Sequence, residues 1–524
     1  MNALDYSLVA LYLGGMIWLG LRFKQSEKGT DYFLGGRQFG WFSLCMSAMA
    51  TQLSAISFIS APAFVGLRPG GGMQWLTFEL AVPLALLVVM ILLGPMLHRA
   101  GVVSVYSFLE RRFGVGSRML ISALFVLSRS LGAGVQIYAV GLILSSIIGL
   151  PFWQTVLLLG GVTIVYSLEG GMKAIVYSEV AQMIIKVLGI LAIAAAALHH
   201  LGGWDVFLAK VDRSRLNVVD FSSLGFDGRQ YGFWPMLIGG LFLYASYYGT
   251  DQTQAQRLLA ARDELTVKRL LLFNGLLRFP ITLCYCMGGL ILGTFAATNA
   301  EFGAKIPADK PDLLVPVFIS GYLPHGVIGL IVVALIAAWM SAYSSALNSL
   351  TAVTMEDFIG RKWKVPAEKY VLASKAIALG WGVFTLGFAF FTGKIAATAI
   401  EAINKIGSLF YGPILGVFLL AALGRWVRPA AANAGVVAGL AVNLVLWVFF
   451  KNVFWFWWNA AGGLTTLAVG VGASLLWPRP ADPAAIETAT APPAVGALPW
   501  KEIAILVGWF VAVVAFCVLL PRFF

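Results

Sequence analysis

The sequence has 524 residues, of which 60% are hydrophobic and only 11% charged, and its mean hydropathy is +0.86. About a quarter of the residues of a soluble globular protein are charged, so this composition excludes that class and predicts a polytopic membrane protein. The net charge of +12 does not indicate a nucleic-acid partner, because the basic residues concentrate in alternate connections between apolar runs.

The apolar runs are each long enough to cross a hydrocarbon core about 30 Å thick as a helix. Backbone groups in lipid need partners within their own segment, so we predict an all-α integral membrane protein with about 14 transmembrane helices. The first run lacks a basic start and a small-residue cleavage site, so we expect a retained span and not a signal peptide. The predicted spans are 4–22, 42–66, 76–98, 118–149, 152–168, 172–198, 233–251, 270–297, 323–357, 371–392, 400–424, 433–450, 455–477 and 501–522.

Lys and Arg residues indicate the orientation of these spans. They cluster after the first span, in 99–118, in 257–269 and in 361–369. Cytoplasmic loops carry such an excess, so the pattern predicts an outside N-terminus, cytoplasmic 99–117 and 252–269, and an external loop at 199–232. The Pro- and Ala-rich segment 478–499 is typical of a flexible linker before the last span.

Several function classes are disfavoured by what the sequence lacks. The four cysteines lie in apolar spans, so neither a disulfide framework nor a zinc spacing is expected. No phosphate-binding Gly-rich loop ends in Gly-Lys-Ser/Thr, and the spans offer no Ser-His-acid or metal-ligand cluster, so we expect neither an ATPase nor a membrane-embedded enzyme. A sensor input module would be fused to a kinase domain. This sequence ends at its last predicted span, so we do not expect a sensor. The four cysteines are Cys45, Cys284, Cys286 and Cys517.

Two spans are interrupted, and they lie five spans apart. Span two, LCMSAMATQLSAISFISAPAFVG, mixes small and polar residues before Pro62, and span seven, GGLFLYASYYGTDQTQAQR, carries glycines and then becomes polar. A kink tolerated for packing would explain either one alone. Interruptions at matching places in two halves instead indicate the midplane site of a transporter built from inverted repeats.

The ninth span carries a stripe of polar side chains within AWMSAYSSALNSLTAVTMED (338–357). Its residues recur at i, i+3, i+4, i+7 and i+8, so a helix places them on one face. A packing seam of small residues is one interpretation. A hard cation, which prefers oxygen ligands, is the other. The stripe consists of Ser341, Ser344, Ser345, Asn348 and Ser349.

Five motifs resemble the sodium:solute symporter family, whose members carry sugars, proline, sialic acid, iodide, monocarboxylates and vitamins. The resemblance covers about residues 30 to 425, and the ninth-span motif is most similar to the monocarboxylate, iodide and vitamin branch. The motifs are LGGRQFGWFSL (34–44), ATQLS (50–54), LEGGMKAIVYSEVAQ (168–182), YYGTDQTQAQRLL (247–259) and SSALNSLTAVTMEDFI (344–359).

This resemblance implies a leucine-transporter-like 5+5 inverted repeat with broken helices. The implied function is a sodium-coupled secondary active symporter that imports a small organic solute by alternating access across the plasma (cell inner) membrane. We expect a small-molecule substrate and the lipid bilayer as partners, with no nucleic acid and no obligate protein partner. The implied units are a first helix outside the core (1–30), the first repeat (31–200), an external loop (201–232), the second repeat (233–425), two peripheral helices (426–477), the linker (478–499) and the last helix (500–524).

The resemblance also implies where sodium binds. The first site would use the backbone carbonyls of Ala50, Leu53 and Ala338 and the hydroxyl of Ser341. The family usually has a second hydroxyl at the next position, which here is Ala342.

A second sodium site, present in some members, would use hydroxyls one turn further along the ninth span and a carboxylate from span six. That carboxylate is usually Asp and is here Glu179, which leaves a proton open as an alternative coupling ion. A Glu near the cytoplasmic end of its span is the structural alternative. The implied second site consists of Ser341, Ser344, Ser345 and Glu179.

The substrate positions implied by the family lie on the two interrupted spans and on spans three and four. Arg129, within span four, is favoured as a ligand for a substrate carboxylate, because arginine binds carboxylates through two parallel hydrogen bonds. A structural ion pair of Arg129 with Glu79 or Glu179 is an equal alternative. The other implied substrate residues are Gln52, Ser54, Ser57, Gln74, Thr77 and Tyr247.

Overall fold

The computed structural model describes residues 1–24, 29–363, 365–392, 399–423, 426–476 and 498–524. Within these ranges the protein is helical and has no strand, with two isolated backbone bridges, Phe39 to Ala261 and Asp220 to Gly232. The prediction of an all-α membrane protein is confirmed. The predicted linker 478–499 lies outside the described residues except for its last two.

The fold is an assembly of long helices joined by short helical connections. The main elements are α1 (Ala3–Phe23), α2 (Trp41–Gln52), α3 (Ala55–Gly66), α4 (Met73–Ala100), α5 (Val115–Ile148), α6 (Phe152–Leu201), α7 (Gly240–Gly249), α8 (Gln252–Leu259), α9 (Glu264–Thr298), α10 (Val327–Val353), α11 (Ala367–Thr392), α12 (Ala399–Leu423), α13 (Pro429–Phe449), α14 (Phe456–Leu476) and α15 (Trp500–Leu519).

Short helical turns connect these elements. They are Asp31–Leu34, Gly35–Arg37, Tyr106–Phe113, Trp204–Lys210, Arg213–Leu216, Pro235–Gly239, Ala300–Ala304, Pro311–Leu313, Leu314–Tyr322, Thr354–Ile359, Gly360–Lys362 and Leu520–Arg522.

Among the described residues, 11 helices are long and apolar enough to cross a membrane, or up to 12 when the bent pair α2 and α3 counts as one span. A single 50-residue helix, α6, covers both of the predicted spans 152–168 and 172–198. At 1.5 Å per residue such a helix would extend about 75 Å, more than twice the hydrocarbon thickness. Gly171 interrupts it with φ 53° and ψ −150°, a conformation open to glycine because it has no Cβ.

The interruption of span two lies at Leu53 and Ser54, eight residues before Pro62. The axes of Trp41–Gln52 and Ser57–Gly66 differ by 58°. In a continuous helix the Ser54 N–H would donate to the carbonyl of Ala50, but here it donates to Gln52 O at 3.0 Å. The break therefore frees the Ala50 carbonyl for another donor.

The second interruption separates α7 from α8 at residues 250–251. Asp251 is extended, with φ −78° and ψ 118°, and its carboxylate accepts from the Thr253 N–H at 2.8 Å. This is the N-cap arrangement that starts a new helix. α10, whose residues are almost all buried, packs between α6 and α5 and carries the serine stripe past both interruptions.

Candidate functional site

An internal cavity of about 220 Å³ lies where the two interrupted helices approach each other. Gln52 and Ser54 line it from the first interruption, and Tyr247 and Thr253 line it from the second. α4, α5, α9, α10 and α12 supply further lining residues. The other lining residues are Thr51, Ser57, Trp75, Phe78, Glu79, Arg129, Gln136, Leu243, Tyr244, Arg278, Tyr285, Ala342, Tyr411 and Trp455.

The structure brings five of the seven predicted substrate residues to this cavity: Gln52, Ser54, Ser57, Arg129 and Tyr247. The other two lie elsewhere. Gln74 faces a separate surface cleft, where its amide donates to the carbonyl of Gly70. Thr77 is fully buried and donates to Gln74 O at 2.6 Å. The short 3-10 turn at Met73–Glu79, which the sequence pattern did not predict, directs both side chains away.

Arg129 forms an ion pair with Asp251, the cap residue of α8. Neither of the partners that the sequence suggested is involved, because Glu79 and Glu179 pair with other arginines. The Arg129 side chain is 20% exposed, and its hydrogen bonds in the described part of the chain all use Nη2, toward Asp251 and Tyr411. Nε and Nη1 of Arg129 therefore stay available to a ligand in the cavity.

A second buried pair, Arg278 with Glu79, also lines the cavity. Arg278 Nη2 is 3.0 Å from Glu79 Oε1, which also accepts from the Thr282 hydroxyl at 3.0 Å. Within the described ranges, Glu79 Oε2 and Arg278 Nε have no hydrogen-bond partner. The cavity lining thus carries two cationic side chains, Arg129 and Arg278, and one anionic side chain, Glu79, with polar atoms left for a solute.

The side-chain nitrogen of Lys186 lies among the oxygens of the predicted first cation site. Lys186, fully buried on α6, donates to Ala50 O at 2.6 Å, to Leu53 O at 3.0 Å and to Ser341 Oγ at 2.6 Å. The fourth predicted oxygen, Ala338 O, lies 3.2 Å from Ser341 Oγ. Three of the four oxygens predicted to bind sodium are therefore acceptors for one side chain.

The three oxygens around Lys186 Nζ match in number the three N–H donors of a lysine ammonium ion. The two carbonyls of Ala50 and Leu53 can only accept. Ser341 Oγ lies 3.1 Å from Ala50 O and 3.2 Å from Ala338 O, and a hydroxyl proton given to either carbonyl leaves this oxygen to accept from Lys186. Three accepting oxygens need three N–H donors, which the ammonium form of lysine has.

The predicted second cation site contains another side-chain cation. Glu179 is fully buried, eight residues after the break at Gly171, and its carboxylate is 2.9 Å from Arg257 Nη2. It also accepts from the hydroxyls of Ser47, Thr51 and Ser345. Arg257 binds the same three hydroxyls. Arg257 thus lies among the ligands predicted for sodium.

The rest of the serine stripe makes individual contacts along α10. The Ser344 hydroxyl donates to Ser341 O at 3.2 Å and does not join the Glu179 cluster. Ser349 Oγ lies 2.9 Å from Thr253 Oγ1 at the second interruption. Asn348 contacts the sulfur of Met172 at 3.6 Å. Ala342 is buried and lines the cavity, one residue from Ser341.

Lys186, Arg257, Asp251 and Arg278 are the site residues that the sequence patterns did not identify. Lys186 follows Glu179 by seven residues, a spacing that places both on one face of a helix. An ionisable residue inside a predicted span is a functional candidate by default, and that signal was present for Lys186, Asp251 and Arg278. Arg257 instead falls in the connection 252–269 that we predicted to be cytoplasmic, whereas the structure buries its side chain. Which oxygens each would meet depends on packing between distant segments.

Comparison with known proteins places these features in a family. A family model described as the sodium:solute symporter family matches residues 32–439. The chain is 30% identical to the sodium/iodide cotransporter of Homo sapiens over 458 residues, which cover 85% of this chain and 70% of that protein. It is 27% identical to sodium-coupled monocarboxylate transporter 2 of Homo sapiens over 507 residues, covering 94% and 78%.

Among solved structures, a Na+-coupled sialic acid symporter in a substrate-bound outward-open state superimposes with a TM-score of 0.81. The sequence identity is 23%, and the alignment covers 91% of this chain and 98% of that one. A nucleobase-cation-symport-1 family transporter superimposes with a TM-score of 0.56 at 14% identity, covering 87% and 96%. These similarities show a shared fold.

Proposed function

From the premise that this chain belongs to the sodium:solute symporter family, we propose that it imports a small organic anion by alternating access. Membership makes the protein a multi-pass, sodium-coupled secondary transporter of a small-molecule solute and not an enzyme, as the sequence predicted. The proposal adds the class of the solute and the residues that bind it.

The observation that carries the proposal is the position of Arg129 at the cavity wall with Nε and Nη1 unengaged. Nε and Nη1 lie on different edges of the guanidinium, and each can donate one charge-assisted hydrogen bond to an oxygen of an anionic solute. The solutes named for the two curated relatives, iodide and monocarboxylate, are both anions, which supports the same class. A cavity of about 220 Å³ suits a solute of few non-hydrogen atoms.

We further propose that the protein has fourteen spans, ten of which form a 5+5 repeat. The 11 long helices and the bent pair supply twelve. The break at Gly171 divides α6 into two, which adds one, and Pro235–Gly249, formed by a π-helical turn and α7, adds the fourteenth. The interrupted helices α2–α3 and α7–α8 then begin the two repeats, at 31–200 and 233–425.

Binding measurements on purified protein test the solute class. In sodium buffer, we expect short carboxylates such as lactate and pyruvate to raise the melting temperature, and glucose and proline to leave it unchanged. Arg129→Lys retains the charge but loses the separately directed Nε and Nη1 donors, so we expect carboxylate affinity to fall more than tenfold, which is about 1.4 kcal/mol. Gln52→Ala is expected to weaken binding, and Gln74→Ala, outside the cavity, is the matched control.

Two results would contradict this assignment. One is unchanged carboxylate affinity in a folded Arg129→Lys protein, and the other is stabilisation by neutral solutes alone. Uptake of the stabilising solute into proteoliposomes under a sodium gradient tests coupling. Uptake that ignored sodium and followed a pH gradient would instead assign the proton as coupling ion.

A further inference from the structure

We propose that the Lys186 ammonium is a tethered cation that fills the candidate sodium site of Ala50, Leu53 and Ser341 and closes that site to sodium. The proposal rests on the proposed function only for the assignment of the site. Its test measures sodium binding without any transported solute, so its failure and that of the proposed function are distinguishable.

The geometry of the break explains why a cation belongs at this position. The Ala50 carbonyl has lost its helical donor, because the Ser54 N–H turns to Gln52 O. A buried carbonyl without a donor is costly, and a cation beside it removes that cost. Lys186 supplies three N–H donors at 2.6–3.0 Å, which is the range of charge-assisted hydrogen bonds.

Sodium and the ammonium ion exclude each other here. Both need the same three oxygens, and both carry one positive charge, so joint occupancy would place two cations side by side in a buried space. The buried charges nearby are Glu179 and Arg257, which neutralise each other at 2.9 Å. With the Lys186 ammonium, the three buried side chains Lys186, Glu179 and Arg257 have a net charge of about +1. A sodium ion bound beside them would raise this net charge to about +2, and no further buried anion within the part of the chain that the structure describes would balance it.

A tethered cation changes the charge moved in each transport cycle. Lys186 is covalently part of α6 and does not cross the membrane, whereas a bound sodium ion would. This site therefore contributes no translocated charge, and any sodium ion that drives this transporter binds to other ligands. The membrane potential then acts on one positive charge fewer than it would with sodium at this site.

The experiment compares sodium-dependent thermal stabilisation of the full-length protein in detergent, with potassium at equal ionic strength as reference. Lys186→Met keeps an unbranched side chain and removes the ammonium, so we expect it to gain a sodium-specific rise in melting temperature of about 3 °C or more. The double variant Lys186→Met with Ser341→Ala is expected to lose that gain, because one oxygen ligand is missing.

If Lys186→Met does not fold, the native protein and its Ser341→Ala variant, both of which retain Lys186, still test the proposal. In that background Ser341→Ala is expected to leave the sodium response, whatever its size, unchanged. A sodium response of the native protein that Ser341→Ala removes would overturn the proposal, since it would show sodium at these ligands despite the lysine. A folded Lys186→Met protein with no Ser341-dependent gain would overturn it too.

Discussion

At the scale of single residues, buried ion pairs decide which polar groups of the site are free to bind a solute. Arg257 is paired with Glu179, Arg278 with Glu79, and Arg129 with Asp251. Removing one member leaves a buried charge without its partner, which typically costs about 3–5 kcal/mol. Because the pairs join α8 to α6 and α9 to α4, they also tie separate segments together.

The first prediction concerns the pair of Arg257 with Glu179. We expect Glu179→Gln and Arg257→Gln each to lower the free energy of unfolding by about 3 kcal/mol, and the double variant to lower it by less than the sum. Chemical unfolding in detergent measures this coupling. The exposed pair of Arg229 with Asp227, at 2.7 Å, is the matched control, and its neutralisation is expected to leave the free energy of unfolding nearly unchanged. Additive losses in the buried cycle would mean that the pair is not an energetic unit.

At the scale of elements, the interrupted helix α3 is positioned by a close crossing with α9. Glycines on both helices bring the two backbones together, as small residues do in membrane helix packing. A Cβ at Gly289 would lie 2.5 Å from Pro62 Cα, and one at Gly293 would lie 2.3 Å from the carbonyl oxygen of Gly66. The second half of the broken span therefore has little freedom to move away from α9 without separating these backbones.

The second prediction tests this crossing with two adjacent glycines. We expect Gly289→Ala to lower the melting temperature by several degrees, because the clashing atoms are backbone and cannot rotate aside. Gly288→Ala is the control, since its Cβ would meet Ala194 Cβ at an ordinary 3.4 Å. Equal melting temperatures for the two variants would show that α3 and α9 separate without cost.

At the scale of the whole molecule, the distribution of basic residues predicts which connections face the cytoplasm. The connection that includes Arg262 is basic, and Arg262 itself is exposed. The connection on the other side of α7 includes the exposed Lys210. Arg215, in the same connection, is engaged with the carbonyls of the end of α3, so its replacement would disturb the fold as well as the label.

The third prediction is an outside N-terminus, tested by labelling single cysteines in a background without the four native ones. A membrane-impermeant thiol reagent added to intact cells is expected to modify Lys210→Cys and to leave Arg262→Cys unmodified until the membrane is permeabilised. The opposite pattern would invert the topology and place the N-terminus inside.

The sequence by itself determined the properties that depend on local pattern. Hydropathy determined the helical membrane class, and the small, polar composition of spans two and seven located both interruptions. The 3.6-residue spacing on the ninth span placed Ser341 and Ser345 on one face. The family motifs then predicted a cation site at the oxygens of Ala50, Leu53 and Ser341, and the structure brings these three oxygens together around Lys186 Nζ.

Only the tertiary structure decided which group lies among the oxygens of this predicted cation site. Lys186 is 136 residues from Ala50 and 155 from Ser341 along the chain. Arg129 is likewise 122 residues from Asp251, a partner that no local pattern indicated. Hydropathy and spacing report the environment of one segment, whereas the partner of a buried charge depends on which helices pack against each other. In a medium without water each buried donor must find an acceptor, so helix packing assigned the predicted sodium oxygens to Lys186.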